Sequence, residues 1–123
     1  MRPILALAIL ALTTFALAGC SGSGGPVTPP TDDEGRYVIH MAASGNKFLP
    51  PSAKVPVGET VVWENDGATP HNVMADDGSF SSDTEFPRFM QKGDEFDHTF
   101  GEAGTFTYMC HLHSGMTGTI VVG

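Results

Sequence analysis

Val57-Gly58-Glu59-Thr60-Val61-Val62-Trp63-Glu64-Asn65-Asp66-Gly67 has the pattern of a β-strand bounded by turns. Threonine, valine and tryptophan suit a pleated sheet, a glycine opens the run, and Asn-Asp-Gly stops it with a turn signal. The same grammar repeats on both sides. Upstream lie Tyr37-Val38-Ile39-His40-Met41 and Ala53-Lys54-Val55-Pro56-Val57, the second carrying a proline that marks an edge or bulge. Downstream, residues 71–75 stop at Asp76-Asp77-Gly78, and residues 94–100 alternate with Phe96, His98 and Phe100 on one face. Residues 101–104 turn into a strand over 105–109, and residues 117–122 close the chain. Residues 79–88 lack alternation and read as a loop or a short helical turn. Short strands with Gly and Pro punctuation predict a single all-β domain over residues 36–123, a sandwich or a barrel. A domain this small buries little, and it holds one cysteine, so no disulfide within it can add stability.

Residues 1–35 obey another grammar. Met1-Arg2-Pro3 gives one positive charge, residues 4–17 are nearly all apolar, and Leu17-Ala18-Gly19-Cys20 ends the run with small residues. This is the pattern of an export signal, and the apolar run is short for a membrane span. Leu-Ala-Gly-Cys resembles the lipobox of bacterial lipoproteins, which implies a leader over residues 1–19 and a lipid on Cys20. Residues 21–35 are rich in Ser, Gly, Pro, Thr and acids, so residues 20–35 are expected to form a lipidated cysteine followed by a flexible linker.

Formal net charge is −8, which argues against nucleic acid as a partner and for steering toward basic proteins. The chain has 2 cysteines, Cys20 and Cys110. With Cys20 acylated, Cys110 is a lone exported thiol, and a metal gives it a reason to be there.

The metal signal is Tyr108-Met109-Cys110-His111-Leu112-His113-Ser114-Gly115-Met116, with Pro70-His71-Asn72-Val73 well upstream. Thiolate, imidazole and thioether recur at three-residue steps in one loop, and a second imidazole comes from another strand. Two His, one Cys and a weak Met form the donor set that suits copper in a trigonal site with a long axial bond. Neighbours in extended backbone point to opposite sides, which turns His111 away from an ion held by Cys110 and favours His113. His40 reads as a solvated surface residue, His98 as a packed or rim histidine, and Met74, Met90 and Met109 as fillers of the core.

Asn46-Lys47-Phe48-Leu49-Pro50, residues 57–65, Pro70-His71-Asn72-Val73 and Gly104-Thr105-Phe106-Thr107-Tyr108 with the Cys110 loop together resemble the plastocyanin-type blue copper proteins. The spacing Cys-x-x-His-x-x-Met is similar to that of amicyanin, and the acidic, lipid-tethered layout to halocyanins. The resemblance implies a cupredoxin-like Greek-key β-sandwich. It implies His71, Cys110, His113 and Met116 as metal ligands, with one copper ion cycling between Cu(II) and Cu(I). It places Asn72 where an asparagine braces the cysteine loop, and it makes His113, flanked by Leu112 and Met116, the exit for electrons. Leu112 stands where the family often has proline, and His111 follows the cysteine, which is unusual there.

The function so implied is one-electron transfer between membrane-associated or exported redox proteins, by a monomer meeting them transiently. The lipid would hold it to the cell membrane or the outer membrane, facing the periplasm or the exterior. The alternative is a copper storage or delivery protein of the cell envelope. An enzyme would need an open coordination position, which four protein ligands do not leave.

Overall fold

Side-chain parity along the strands builds two facing sheets. The computed structural model describes residues 24–83 and 89–123, so the expected leader and Cys20 lie outside the described residues. Among the described residues there are eight strands: β1 (Tyr37–Met41), β2 (Phe48–Leu49), β3 (Ser52–Val55), β4 (Thr60–Asn65), β5 (Met74–Ala75), β6 (Glu95–Thr99), β7 (Gly104–Met109) and β8 (Thr117–Val122). One sheet runs β2-β1-β4-β6 and the other β3-β8-β7-β5. The β1–β4 and β3–β8 pairs are parallel and the rest antiparallel. The chain switches sheets after β2, β3, β4, β5 and β6, the Greek-key β-sandwich expected from the sequence.

Ile39 and Met41 of β1, Val61 and Trp63 of β4, Tyr108 of β7, and Ile120 and Val122 of β8 fill the space between the sheets. Each set alternates along its strand, as a period of two requires. Trp63 sits among rings: Phe80 and Phe96 stack on it at 5.4 and 5.5 Å, and Tyr108 meets it edge-on at 5.4 Å. Phe48 packs edge-on against Tyr108 at 4.8 Å, which carries the aromatic contact across to β2. Such offset and edge arrangements contribute about 0.5–1.5 kcal/mol per pair beyond the area they bury.

Tyr108 needs a gap in β8, and Gly118 provides it. The two are cross-strand partners, and a β-carbon at position 118 would land on the tyrosine ring and hydroxyl. This is a glycine chosen for close approach.

Two expectations need correction. The linker reading fails from Val27 onward. Val27 forms a parallel bridge to Ala53, donating to Ser52 O at 3.0 Å and accepting from Lys54 N at 2.8 Å. Thr31 pairs with Tyr37, and Pro30 O accepts from Val38 N at 2.8 Å. Residues 27–31 thus lace the edge of β3 in one sheet to β1 in the other. Composition misled because this attachment is made by backbone groups, which Pro-, Gly- and Thr-rich chains still carry. The strand expected over residues 71–75 is also shorter, with β5 beginning only at Met74. Ahead of it, His71 makes an isolated bridge to Met90.

Candidate metal centre

Strand parity delivers the thiol. Phe106 and Tyr108 of β7 face inward, and Cys110 continues their side one step past the end of the strand. The chain then turns back at once, with Cys110 N donating to Met116 O at 3.0 Å and Met116 N to His113 O at 3.2 Å. Gly115, at φ 81°, supplies the left-handed residue that lets this turn close before β8 begins. Both ends of the loop are therefore pinned by strands.

His71 arrives from the opposite side. Its backbone exchanges two hydrogen bonds with Met90, at 3.2 and 2.7 Å. The loop before it is held by Asn65, whose Nδ2 donates to Thr69 O at 2.9 Å and Met90 O at 2.8 Å. Asn65 Oδ1 accepts from Gly67 N at 3.0 Å. In the sequence Asn65 is a turn signal; nothing in a single sequence tells a turn asparagine from one that clamps the loop before His71.

His71, Cys110 and His113 converge. Their ligand atoms all lie within 4.8 Å of one another. His71 Nδ1 and His113 Nδ1 are 3.2 Å apart, and Cys110 Sγ lies 3.8 Å from the first and 3.6 Å from the second. A first-row ion bonded at about 2.0 Å to nitrogen and 2.3 Å to thiolate, with angles near 120°, sets edges of roughly 3.5–3.7 Å. The triangle fits one ion. Both imidazoles turn the same nitrogen, Nδ1, toward the thiol.

Met116 is 1% exposed and lines the same end of the sandwich as Cys110 and His113. Its burial removes it from the surface patch expected around His113, where Leu112, 42% exposed, does lie. His71 is fully buried and Cys110 is 3% exposed, so exchange with solvent runs past His113.

His111 takes no part in the triangle. It is exposed and borders both the depression at the Cys110 loop and a neighbouring cleft with Met74, Asp76 and Met109. Met109 is 37% exposed, so it does not fill the core as expected, whereas Met90 does. His98 stacks on Phe80 at 5.0 Å and meets Phe100 edge-on at 4.8 Å, a packed histidine far from ligand duty.

Asn72 is buried beside the triangle. Its backbone N points at Cys110 Sγ from 3.5 Å, its Oδ1 accepts from His111 N at 2.8 Å, and its Nδ2 donates to Asp83 at 3.0 Å. Asp83 was missed in the sequence because it belongs to a stretch without periodicity. Burial holds the His71 imidazole below its usual range, and the neighbouring His113 lowers it further. Both effects favour the neutral ring that a metal needs. His71 Nε2 is buried without a hydrogen-bond partner among the described residues.

A two-sheet sandwich closing one end over a Cys and two His defines a small metalloprotein of the cupredoxin class. The comparisons agree. The family of copper binding proteins, plastocyanin/azurin family, matches residues 37–123, and the chain belongs to it. The chain is 35% identical over 126 residues to an amicyanin of Paracoccus denitrificans, covering 99% of this chain and 95% of that one. Against an amicyanin of Paracoccus versutus it is 37% identical over 76 residues, covering 62% of this chain and 58% of the relative. A solved amicyanin variant in its oxidized state superposes with a TM-score of 0.64 at 33% identity, covering 78% of this chain and 92% of that one. Copper is therefore the cofactor, and this set of one thiol and two imidazoles fits it.

Proposed function

We propose that this protein carries single electrons, using His71, Cys110, His113 and Met116 to hold one copper ion. The observation that supports this most is the buried triangle of one thiol and two Nδ1 atoms, with edges of 3.2, 3.6 and 3.8 Å. Bound there, copper supplies one-electron exchange between Cu(II) and Cu(I). The residues supply the rest. Strands β7 and β8 fix both ends of the ligand loop, Asn72 ties that loop to the His71 side, and Met90 ties His71 to the β4 end. A scaffold so braced moves little when the charge on the ion changes, which keeps electron exchange fast. The His113 ring, the more exposed of the two imidazoles, forms the edge through which electrons pass, with Leu112 beside it for docking.

The remaining features of this reading rest on sequence pattern and on the family. Residues 1–19 serve as an export leader, and Cys20 carries a lipid that holds the protein to the cell membrane or outer membrane, facing the periplasm or exterior. The protein works as a monomer and meets its redox partners briefly, through a small interface. Its net charge of −8 steers it toward basic faces and away from nucleic acid. It is not an enzyme, since the four donors leave no coordination position for a substrate. Storage or delivery of copper is not favoured, because the thiol and His71 are almost wholly shielded from an acceptor.

Voltammetry of the copper-loaded protein tests the function. Reversible one-electron cycling is expected, and Met116→Gln should shift the potential downward while the colour persists. Irreversible release of the ion on reduction would defeat the proposal in favour of delivery. Replacing Cys20 with Ser should move the protein from the membrane fraction to the soluble fraction; retention in the membrane would defeat the anchor.

A further inference from the structure

On the outer face of the first sheet, His40 of β1 stands beside its register partner Glu64 of β4, and Asp66 follows just past that strand. Glu64 and Asp66 flank Asn65, whose side chain turns inward, so parity places both carboxylates on the outer side. His40 Nδ1 lies 2.8 Å from Asp66 Oδ2 and 3.7 Å from Glu64 Oε2. One ligand atom from each of the three residues fits within a 4.8 Å cluster.

The nitrogen is the informative atom. It is shielded from solvent, yet it makes no hydrogen bond among the described residues, although a carboxylate oxygen is so near. A histidine held only as an ion-pair partner would aim its N–H along that contact. The ion pair alone leaves this shielded nitrogen poorly satisfied, and such a group is costly to bury. Arg36 does not relieve the carboxylates, because it is bonded to Asp32 and Glu95 instead.

We propose that His40, Glu64 and Asp66 bind a divalent ion of the zinc type, at a site separate from the copper centre. An imidazole with two carboxylates suits a borderline ion and offers no sulfur to Cu(I). Metal bonds of about 2.0–2.2 Å at tetrahedral angles put donors roughly 3.4 Å apart, between the two distances seen. Two carboxylates balance the double charge, and all three side chains are 28–44% exposed, so the ion has a way in. The ion would tie the end of β1 to the turn that follows β4. That turn leads directly into Pro70-His71, so the clip braces the loop bearing a copper ligand. The zinc site itself does not depend on the copper reading.

Calorimetric titration of zinc chloride into the copper-filled protein tests this, since copper keeps zinc out of the Cys110 site. A parallel titration uses the double variant Cys110→Ser, His113→Ala, which disables that site and keeps the result readable if copper fails to load. One saturable zinc equivalent is expected in both, with a rise in melting temperature. His40→Ala and Asp66→Asn should each weaken zinc at least about tenfold, the loss seen even for residues that merely support metal ligands. Circular dichroism checks that these surface variants fold. No saturable uptake, or unchanged affinity in either variant, overturns the proposal.

Discussion

Asn72 shows how much one side chain can decide at the residue scale. It contributes a backbone N near the thiol, an acceptor for His111 N and a donor to Asp83. Asn72→Ala should cost about 1–3 kcal/mol, because it leaves the His111 N–H and the Asp83 carboxylate without that partner. Urea unfolding of the metal-free protein measures the loss, and copper release to a chelator should be faster. The two loop histidines separate just as sharply. His111 is used through its backbone N–H, whereas His113 offers Nδ1 to the triangle. His111→Ala should therefore keep the thiolate absorption band and His113→Ala should lose it. At Gly118, substitution by Ala pushes a methyl group into Tyr108, a ring already packed by Phe48 and Trp63. A penalty of at least about 1–3 kcal/mol is expected, read as a lower denaturation midpoint with the copper colour intact.

Elements were legible where side chains carry the pattern. Strands β1 and β8 fall where alternation puts them, since Ile39 and Met41, or Ile120 and Val122, have one face to bury. The convergence of Cys110 and His113 was legible because Cys, His and Met at three-residue steps have few other uses. What was hidden is held by backbone. His71 sits on a lone bridge to Met90, outside any strand, and Val27 with Thr31 pair through peptide groups that leave no periodic trace. The lacing segment makes its own prediction. Three backbone hydrogen bonds join residues 27–30 to the two sheets, at 3.0, 2.8 and 2.8 Å. At about 1 kcal/mol net each, a chain starting at Arg36 should be roughly 3 kcal/mol less stable than one starting at Gly24. Equal stability of the two truncations would return residues 27–31 to the role of a plain tether.

Over the whole molecule, burial of histidine couples stability to pH. His98 is held below its usual 6.5 by burial, which Asp97 only partly opposes, and burial followed by His113 lowers His71. In the unfolded chain both rings take a proton as pH falls through about 6.5, while the folded metal-free protein still excludes it. The unfolded state then binds more protons, so stability must fall with pH in that window. Urea midpoints of the metal-free protein at pH 7.5 and 5.5 should differ in that direction. Copper loading should widen the gap, because an occupied site keeps His71 neutral in the folded protein at both pH values while the unfolded chain still takes up that proton. The central claim remains that Cys110 sulfur and two imidazole nitrogens share one copper. Electron paramagnetic resonance of the oxidised, copper-loaded protein tests it most directly. A narrow copper hyperfine pattern, lost on Cys110→Ser, is the predicted result. A wide pattern of ordinary tetragonal copper, or one unchanged in that variant, would contradict it.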